Sequence, residues 1–300
     1  MKILLHGPLH ISIWIYLMEM LSEHEFFIEP KDDFEEGSIP RDHLKYEVIP
    51  YKPRSDFDAQ IICLHLNSPP IGEILKTFPV PPVFIEYAKC TLPNLNKQYP
   101  LISTCRSSSN TDYPNIRYCW MTPSPTLWKN HWIGDRPTVF VTARDLKSYQ
   151  EFDPLFQKLK TEKIPYDCST GNKRNLPFKD WQDKFIHNRV LLEAVVKTVS
   201  TVVSEAMQIG MPVVVPNFND NAKMIRNEQD GFCLNLYDRT NLDKVIEILN
   251  HFLKDYTFAK DYGERAEKRA RECFSISETN KIWNKALEDA ISLFKESKRT

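Results

Sequence analysis

Ser200 to Leu234 reads STVVSEAMQIGMPVVVPNFNDNAKMIRNEQDGFCL, and its punctuation is that of a helix, a turn and two short strands. Ser200 is a helix-capping residue type, because its hydroxyl can accept a hydrogen bond from a free backbone N–H of the first turn. Thr201 to Ile209 continues without Pro or Gly, and Gly210 stands where a left-handed residue would end the helix. Pro212–Pro216 (PVVVP) is a brief apolar run between turn residues, the pattern of a strand buried on both faces. Gly231–Leu234 is a second, shorter run. A sheet buried on both faces needs helices above and below it, so the stretch predicts an α/β unit with parallel strands.

The same alternation extends outward. Upstream, Thr138–Thr142 (TVFVT), Ile164–Cys168 and Arg189–Val195 are further strand-like runs. Downstream, Leu242, Val245, Ile246, Leu249, Phe252 and Leu253 recur at helical spacing and give one apolar stripe. Trp283, Ala286, Leu287, Ala290, Ile291 and Phe294 do the same in a last helix. Asn110 to Asp135 has little periodicity and carries Pro114, Pro123 and Pro125 with Trp120, Trp128 and Trp132; it reads as a linker. Before it, Lys2–His6 (KILLH), Tyr46–Ile49, Gln60–His65, Val83–Tyr87 and Leu101–Cys105 are short apolar runs bounded by turn residues, with a helix over Ile11–Ser22. The expected architecture is therefore two Rossmann-like α/β domains. Residues 1–130, completed by about 283–300, form the first, and 131–282 form the second.

Composition narrows the classes. The chain has 300 residues, enough for two domains of roughly 130–170 each. Hydrophobic residues are 42 % and the formal net charge is −1, so the basic excess of a general nucleic-acid binder is missing. The seven cysteines are odd in number and form no C-x-x-C pair. They read as reduced thiols of a cytoplasmic protein rather than a disulfide framework or a zinc site. The longest apolar stretch, Ile11–Leu21, is too short to span a bilayer and contains Glu19.

The quoted stretch resembles the donor-binding signature of family-four glycosyltransferases of the GT-B fold. The matching residues are Glu205, Ala206, Met207, Gly210, Pro212, Val213 and Val214, then Asp230 and Gly231. The segment Ala266–Ser275 (AEKRARECFS), followed by an amphipathic helix, is similar to that family's ending, in which the last helix crosses back onto the first domain. The resemblance implies two domains facing across a cleft and transfer of a sugar from a nucleotide-diphosphate sugar, with retention and without a metal. No cofactor is implied. The implied partners are a UDP- or GDP-linked sugar and a glycan, lipid or small-molecule acceptor. Nucleic acid is not among them, and peripheral membrane association is left open.

The chemistry explains the residue types. A helix N-terminus presents unpaired N–H groups and the positive end of a dipole, which suit a diphosphate. Ser200 and Thr201 stand at that end. One turn further in, Glu205 can accept two hydrogen bonds from a ribose diol. The loop after the Thr138–Thr142 strand carries Arg144 and Lys147, the resemblance's candidates for neutralising the leaving diphosphate, although Lys147 sits closer to Arg144 than is usual there. Gly171, after Ile164–Cys168, keeps an expected glycine. On the acceptor side, His10 lies in the first loop. His65 and Glu86, at strand ends, are candidates to orient a hydroxyl or accept a proton.

Two features depart from the pattern. The family usually has two glutamates with seven residues between them; Glu205 is the second, and Lys197 stands at the position of the first. A lysine donates hydrogen bonds and accepts none, so it can meet a phosphate or carboxylate but not act as acceptor for sugar hydroxyls. Glycine is also scarce, with eight in the chain: Gly7-Pro8-Leu9-His10 has one glycine where a pair is usual, and Asn217–Asn221 has asparagines where glycines are usual. These departures motivate an alternative, a catalytically silent GT-B-fold binding or scaffolding protein. A nicotinamide-dependent dehydrogenase would need G-x-G-x-x-G after the first strand, where Gly7 stands alone. A sugar-nucleotide epimerase of the same two-domain fold has less support. No D-x-D motif stands in a loop suited to a metal.

Overall fold

The computed structural model describes residues 1–6, 11–28, 46–48, 55–64, 71–86, 98–104, 113–143, 150–169, 177–194, 201–217 and 220–299. The chain divides into two compact units, Met1–Thr122 with Ser275–Thr300, and Pro123–Phe274.

The first unit is built on seven parallel strands: β1 (Lys2–His6), β2 (Glu25–Ile28), β3 (Tyr46–Val48), β4 (Ala59–Leu64), β5 (Pro82–Glu86), β6 (Leu101–Ser103) and β7 (Ile116–Tyr118). Their order is β3-β2-β1-β4-β5-β6-β7. Burial on both faces explains why they read as unbroken apolar runs: every residue of β4 and β5 is buried, including Gln60, whose amide donates to the Phe78 and Val80 carbonyls. Helices α1 (Ile11–Met20) and α2 (Ile71–Thr77) precede β2 and β5. Strand β7 lies inside the segment expected to be a linker. Three residues at a sheet edge are too few for periodicity to reveal.

The last helix, here α8 (Ile276–Ser297), belongs to this first unit. Ser275 caps it through a bond from the Glu278 N–H. Trp283, Ala286, Leu287 and Ala290 are buried, and the helix packs on β4, β5, β6 and α1. Asn280 Nδ2 donates to the Met20 carbonyl at 2.7 Å, and Asn284 Nδ2 to Glu23 at 2.7 Å. The expected return of the C-terminal helix to the first sheet is borne out.

The second unit has five parallel strands: β8 (Arg136–Thr142), β9 (Tyr166–Ser169), β10 (Asn188–Glu193), β11 (Val213–Pro216) and β12 (Phe232–Leu234). The order is β12-β11-β10-β8-β9. Between and after them come α3 (Asp153–Thr161), α4 (Phe178–His187), α5 (Thr201–Gln208), α6 (Leu242–Lys254) and α7 (Tyr256–Cys273). One face of the sheet carries Val139, Val141, Val190, Leu192 and Val214. They pack in one cluster with Leu155, Phe156 and Leu159 of α3 and with Leu242, Val245, Ile246, Leu249 and Phe252 of α6. Fully burying each such side chain is worth about 1.5–3 kcal/mol. Side chains alternate along a strand, so Phe140 points the other way, edge-on to Trp181 and Phe185 of α4 at 5.4 and 5.2 Å.

Part of the expected linker closes the N-terminal edge of this sheet. Trp132 N donates to the Ile209 carbonyl, and Ile133 N and Gly134 N donate to the Ile186 carbonyl, at 2.8–2.9 Å. Carbonyls at the ends of α4 and α5 thus gain partners that helix geometry denies them. The buried Arg189 donates to the Gly134 carbonyl, and its guanidinium lies 5.1 Å from the Tyr256 ring centre. Trp132 stacks on the same ring.

Gly210 ends the turn after α5 with φ +82°, the left-handed geometry expected of it. Helix α7 crosses it closely at Gly263, where an added Cβ would lie 2.2 Å from the Gly210 carbonyl oxygen. Neither backbone can yield cheaply. Gly263→Ala is expected to lower unfolding stability of the second unit by about 1–3 kcal/mol, measured by urea denaturation; an unchanged midpoint would contradict this contact. Burial also pushes the Cys119 thiol up to about 11 and the Cys233 thiol up to about 12. Since the thiolate is the nucleophile, mass spectrometry after iodoacetamide at pH 8 should find both unlabelled in the native protein and labelled in denaturant.

Candidate active site

In a parallel α/β sheet, loops at the carboxyl ends of strands form a crevice where the strand order reverses. In the second unit the reversal falls between β8 and β10. They pair in parallel register from Val139↔Val190 to Thr142↔Glu193, and the Ala194 N–H closes the pair on the Thr142 carbonyl at 2.8 Å. The described chain breaks after Ala143 and resumes at Gln150, and breaks after Ala194 and resumes at Thr201. Arg144 and Lys147 fall in the first interval, Lys197 and Ser200 in the second, so all four lie outside the described residues. What the fold fixes is where their chain segments begin: at the two strand ends flanking the reversal.

Helix α5 begins directly after the second interval. It crosses from β10 to the parallel β11, so its N-terminus must lie at the carboxyl edge of the sheet. Thr201 is its first residue and is half-buried, and its carbonyl accepts from the Ser204 hydroxyl at 2.8 Å. Glu205, one turn in, is only 4 % exposed. A carboxylate held out of bulk water on the helix that starts at the crevice is costly unless polar groups meet it. Val203, Ala206 and Met207, its neighbours on the helix, are all fully buried.

Asp230 and Gly231 of the signature have a structural role. Asp230, fully buried, accepts from the Arg226 backbone N–H at 2.7 Å and from Arg226 Nε at 2.5 Å. It ties the turn before β12 to itself. At Gly231 an added Cβ would meet Val213 Cγ2 at 2.9 Å and the Val213 carbonyl at 3.0 Å, so the turn can press on β11 only with glycine there.

In the first unit the order reverses between β1 and β4. His10 lies in the segment after β1, and His65 follows β4; both are outside the described residues, as is Gly171 after β9. Glu86 is described. It ends β5, is fully buried, and accepts from the Ser103 hydroxyl on the neighbouring β6 at 2.8 Å, while its carbonyl takes the Thr104 N–H. That network holds two strand ends together. Two further polar groups at the second crevice escaped the sequence reading: Thr142 and Glu193, register partners at the ends of β8 and β10, both buried. The available signal was an acid inside the apolar run Val190–Ala194.

Comparison with known proteins agrees with this geometry. Residues 185–269, which span the end of α4, β10, α5, β11, β12, α6 and most of α7, match the family model described as Glycosyl transferases group 1. No curated protein matches the chain. Among solved structures, HepE of Anabaena, in complex with UDP and glucose, aligns with a TM-score of 0.68 at 12 % identity, over 96 % of this chain and 99 % of that one. Sucrose-phosphate synthase of Thermosynechococcus elongatus gives 0.69 at 12 % identity, over 97 % and 99 %. AviGT4, a glycosyltransferase involved in avilamycin A biosynthesis, gives 0.58 at 12 % identity, over 97 % and 98 %. The fold is GT-B along nearly the whole chain, and its second unit carries the group 1 segment. The chain is thus similar in fold to GT-B glycosyltransferases along nearly its whole length, and in sequence to Glycosyl transferases group 1 over residues 185–269.

The Asp230 network generates a test that separates frame from site. Asp230→Ala should lower stability by about 1–3 kcal/mol, the cost of leaving hydrogen-bonding partners unmet. Thermal unfolding checks it, and an unchanged Tm would remove Asp230 from the frame.

Proposed function

We propose that the protein transfers a sugar from a nucleotide-diphosphate sugar to an acceptor hydroxyl, with retention at the anomeric carbon and without a metal. The observation carrying this reading is Glu205, a buried carboxylate on the helix whose N-terminus meets the strand-order reversal of the group 1 unit. The donor's ribose diol is bound by Glu205, and its diphosphate rests at the N-terminus of α5 beside Ser200 and Thr201. Solved neighbours described as bound to UDP or UDP-glucose support a uridine nucleotide as the first donor to try.

Arg144 and Lys147 follow β8 and neutralise charge on the departing diphosphate, where fixed donors are worth more than in water. Lys197 contributes a further cation and Gly171 a close backbone approach. The diphosphate leaves from the face the acceptor attacks, and its oxygen takes the acceptor proton. The acceptor-side candidates are His10, in the segment after β1, and His65, in the segment after β4. Glu86, tied to Ser103, acts there by positioning its strand end. The acceptor is a glycan, lipid or small molecule. Among the described residues no helix is long and apolar enough to cross a membrane.

A thermal-shift comparison tests the donor site. A nucleotide sugar at a hundred times its Kd adds about 2.7 kcal/mol of stability. Glu205→Ala should remove roughly 1.5–3 kcal/mol of binding, the worth of hydrogen bonds to a charged acceptor, and so shrink the shift at equal ligand concentration. A shift of the same size in wild type and variant would sink the site. Turnover without the binding loss would move the ribose contact elsewhere.

A further inference from the structure

We infer that Thr142 is a specificity-determining contact for the sugar of the donor, with Glu193 beside it setting what kind of group it takes. The inference rests on the donor-site reading above and deepens it. Thr142 ends β8, is 5 % exposed, and its hydroxyl is a buried polar atom with no hydrogen-bond partner. Burying an unmet hydroxyl is unfavourable by about 1–3 kcal/mol, and a residue of the same shape without the cost, valine, already occupies neighbouring positions of the strand. The unmet group sits at the one place in this sheet where topology opens a crevice.

Register and face complete the argument. Thr142 is two residues beyond Phe140 and so shares its face, with α4. Glu193 is its register partner on β10 and is fully buried. The C-terminal ends of α4 and α5 are held side by side by Trp132 and Ile133, so α5, bearing Glu205, lies on that same face. Thr142 and Glu193 therefore share one face at the carboxyl edge of the sheet, the face on which α5 lies. A second phosphate is the wrong ligand for a hydroxyl next to the Glu193 carboxylate, because like charges repel in a poorly solvated place. A neutral hydroxyl is the right one: threonine can donate or accept, and a carboxylate accepts. Lys197, on the segment that follows β10, can accept nothing. The structure thus assigns hydroxyls of the transferred hexose to Thr142 and Glu193, and leaves the ribose to Glu205.

The test measures binding of UDP, GDP, UDP-glucose and GDP-mannose by titration calorimetry, for wild type, Thr142→Val, Thr142→Ser and Glu193→Gln. The expected result is that Thr142→Val loses about fivefold to tenfold in affinity for the best sugar conjugate and less than twofold for the matching free diphosphate. Thr142→Ser restores the sugar increment, and the ligand-free Tm of Thr142→Val stays equal to wild type or rises. Glu193→Gln provides the same split should the valine variant not fold. Equal affinities in wild type and Thr142→Val, or equal losses for diphosphate and conjugate, overturn the inference and leave the donor site standing. Wild type that binds none of the four probes overturns both.

Discussion

One backbone contact organises the second unit: the Ala194 N–H on the Thr142 carbonyl, closing the pairing of β8 with β10. It is an ordinary parallel-sheet bond. Its position is what counts, because the connections from these two strands leave in opposite directions along the sheet. Strand β9 lies on one side of the pair, and β11 with β12 on the other. The chain must therefore part above it, and polar residues at that edge can meet a ligand without breaking the sheet. Apart from Gly171, everything assigned to the donor site begins within a few residues of that bond or on the helix that follows it.

The opposite edge is built to be inert. Trp132, Ile133 and Gly134 satisfy carbonyls at the ends of α4 and α5, while Arg189 and Tyr256 lock the same segment from below. Arg189 shows why charge alone does not mark a site. Its burial weakens the charged form, yet its donors reach backbone carbonyls of Gly134, Phe252 and Leu253, which makes it a clamp. The asymmetry between a sealed edge and an edge with an unmet hydroxyl is the physical reason to look for ligand at one end only.

The strands of both sheets were legible because burial on both faces turns each into a short apolar run. Gly210, Pro212 and the valines of β11 were legible for the same reason, with turn chemistry added. Strand β7 was not, because it is only half-buried and Arg117 interrupts its apolar residues, and β2 (Glu25–Ile28), short and close behind the first helix, was not read either. Helix α7 was hidden by its composition: Tyr256–Cys273 is dominated by charged residues, and Gly263 interrupts it for a packing reason that only the crossing with Gly210 explains. Glu205 was legible through resemblance, and its burial could not be read from the residues alone. Glu193 and Thr142 were overlooked because a strand reading treats its last residues as more of the same. Whether two strand ends are neighbours is a property of topology, and the order β12-β11-β10-β8-β9 is not written in any local pattern.

Lys197 and Glu193 bear on each other through that topology. A nucleotide sugar asks for two kinds of partner: cations or helix N–H groups for its diphosphate, and acceptors for its sugar. The segment from Glu193 to Glu205 provides both kinds. Its carboxylates stand at its two ends, one on the strand and one on the helix, and its cation and helix N-terminus lie between them. In the proposed reading, lysine at position 197 adds a cation for the diphosphate and leaves recognition of the sugar to other groups. In that reading the strand end suits the task, since Glu193 is fixed by register to Thr142. Recognition of the sugar from the sheet, and of the phosphates from the loops and the helix end, is the division of labour that this backbone favours.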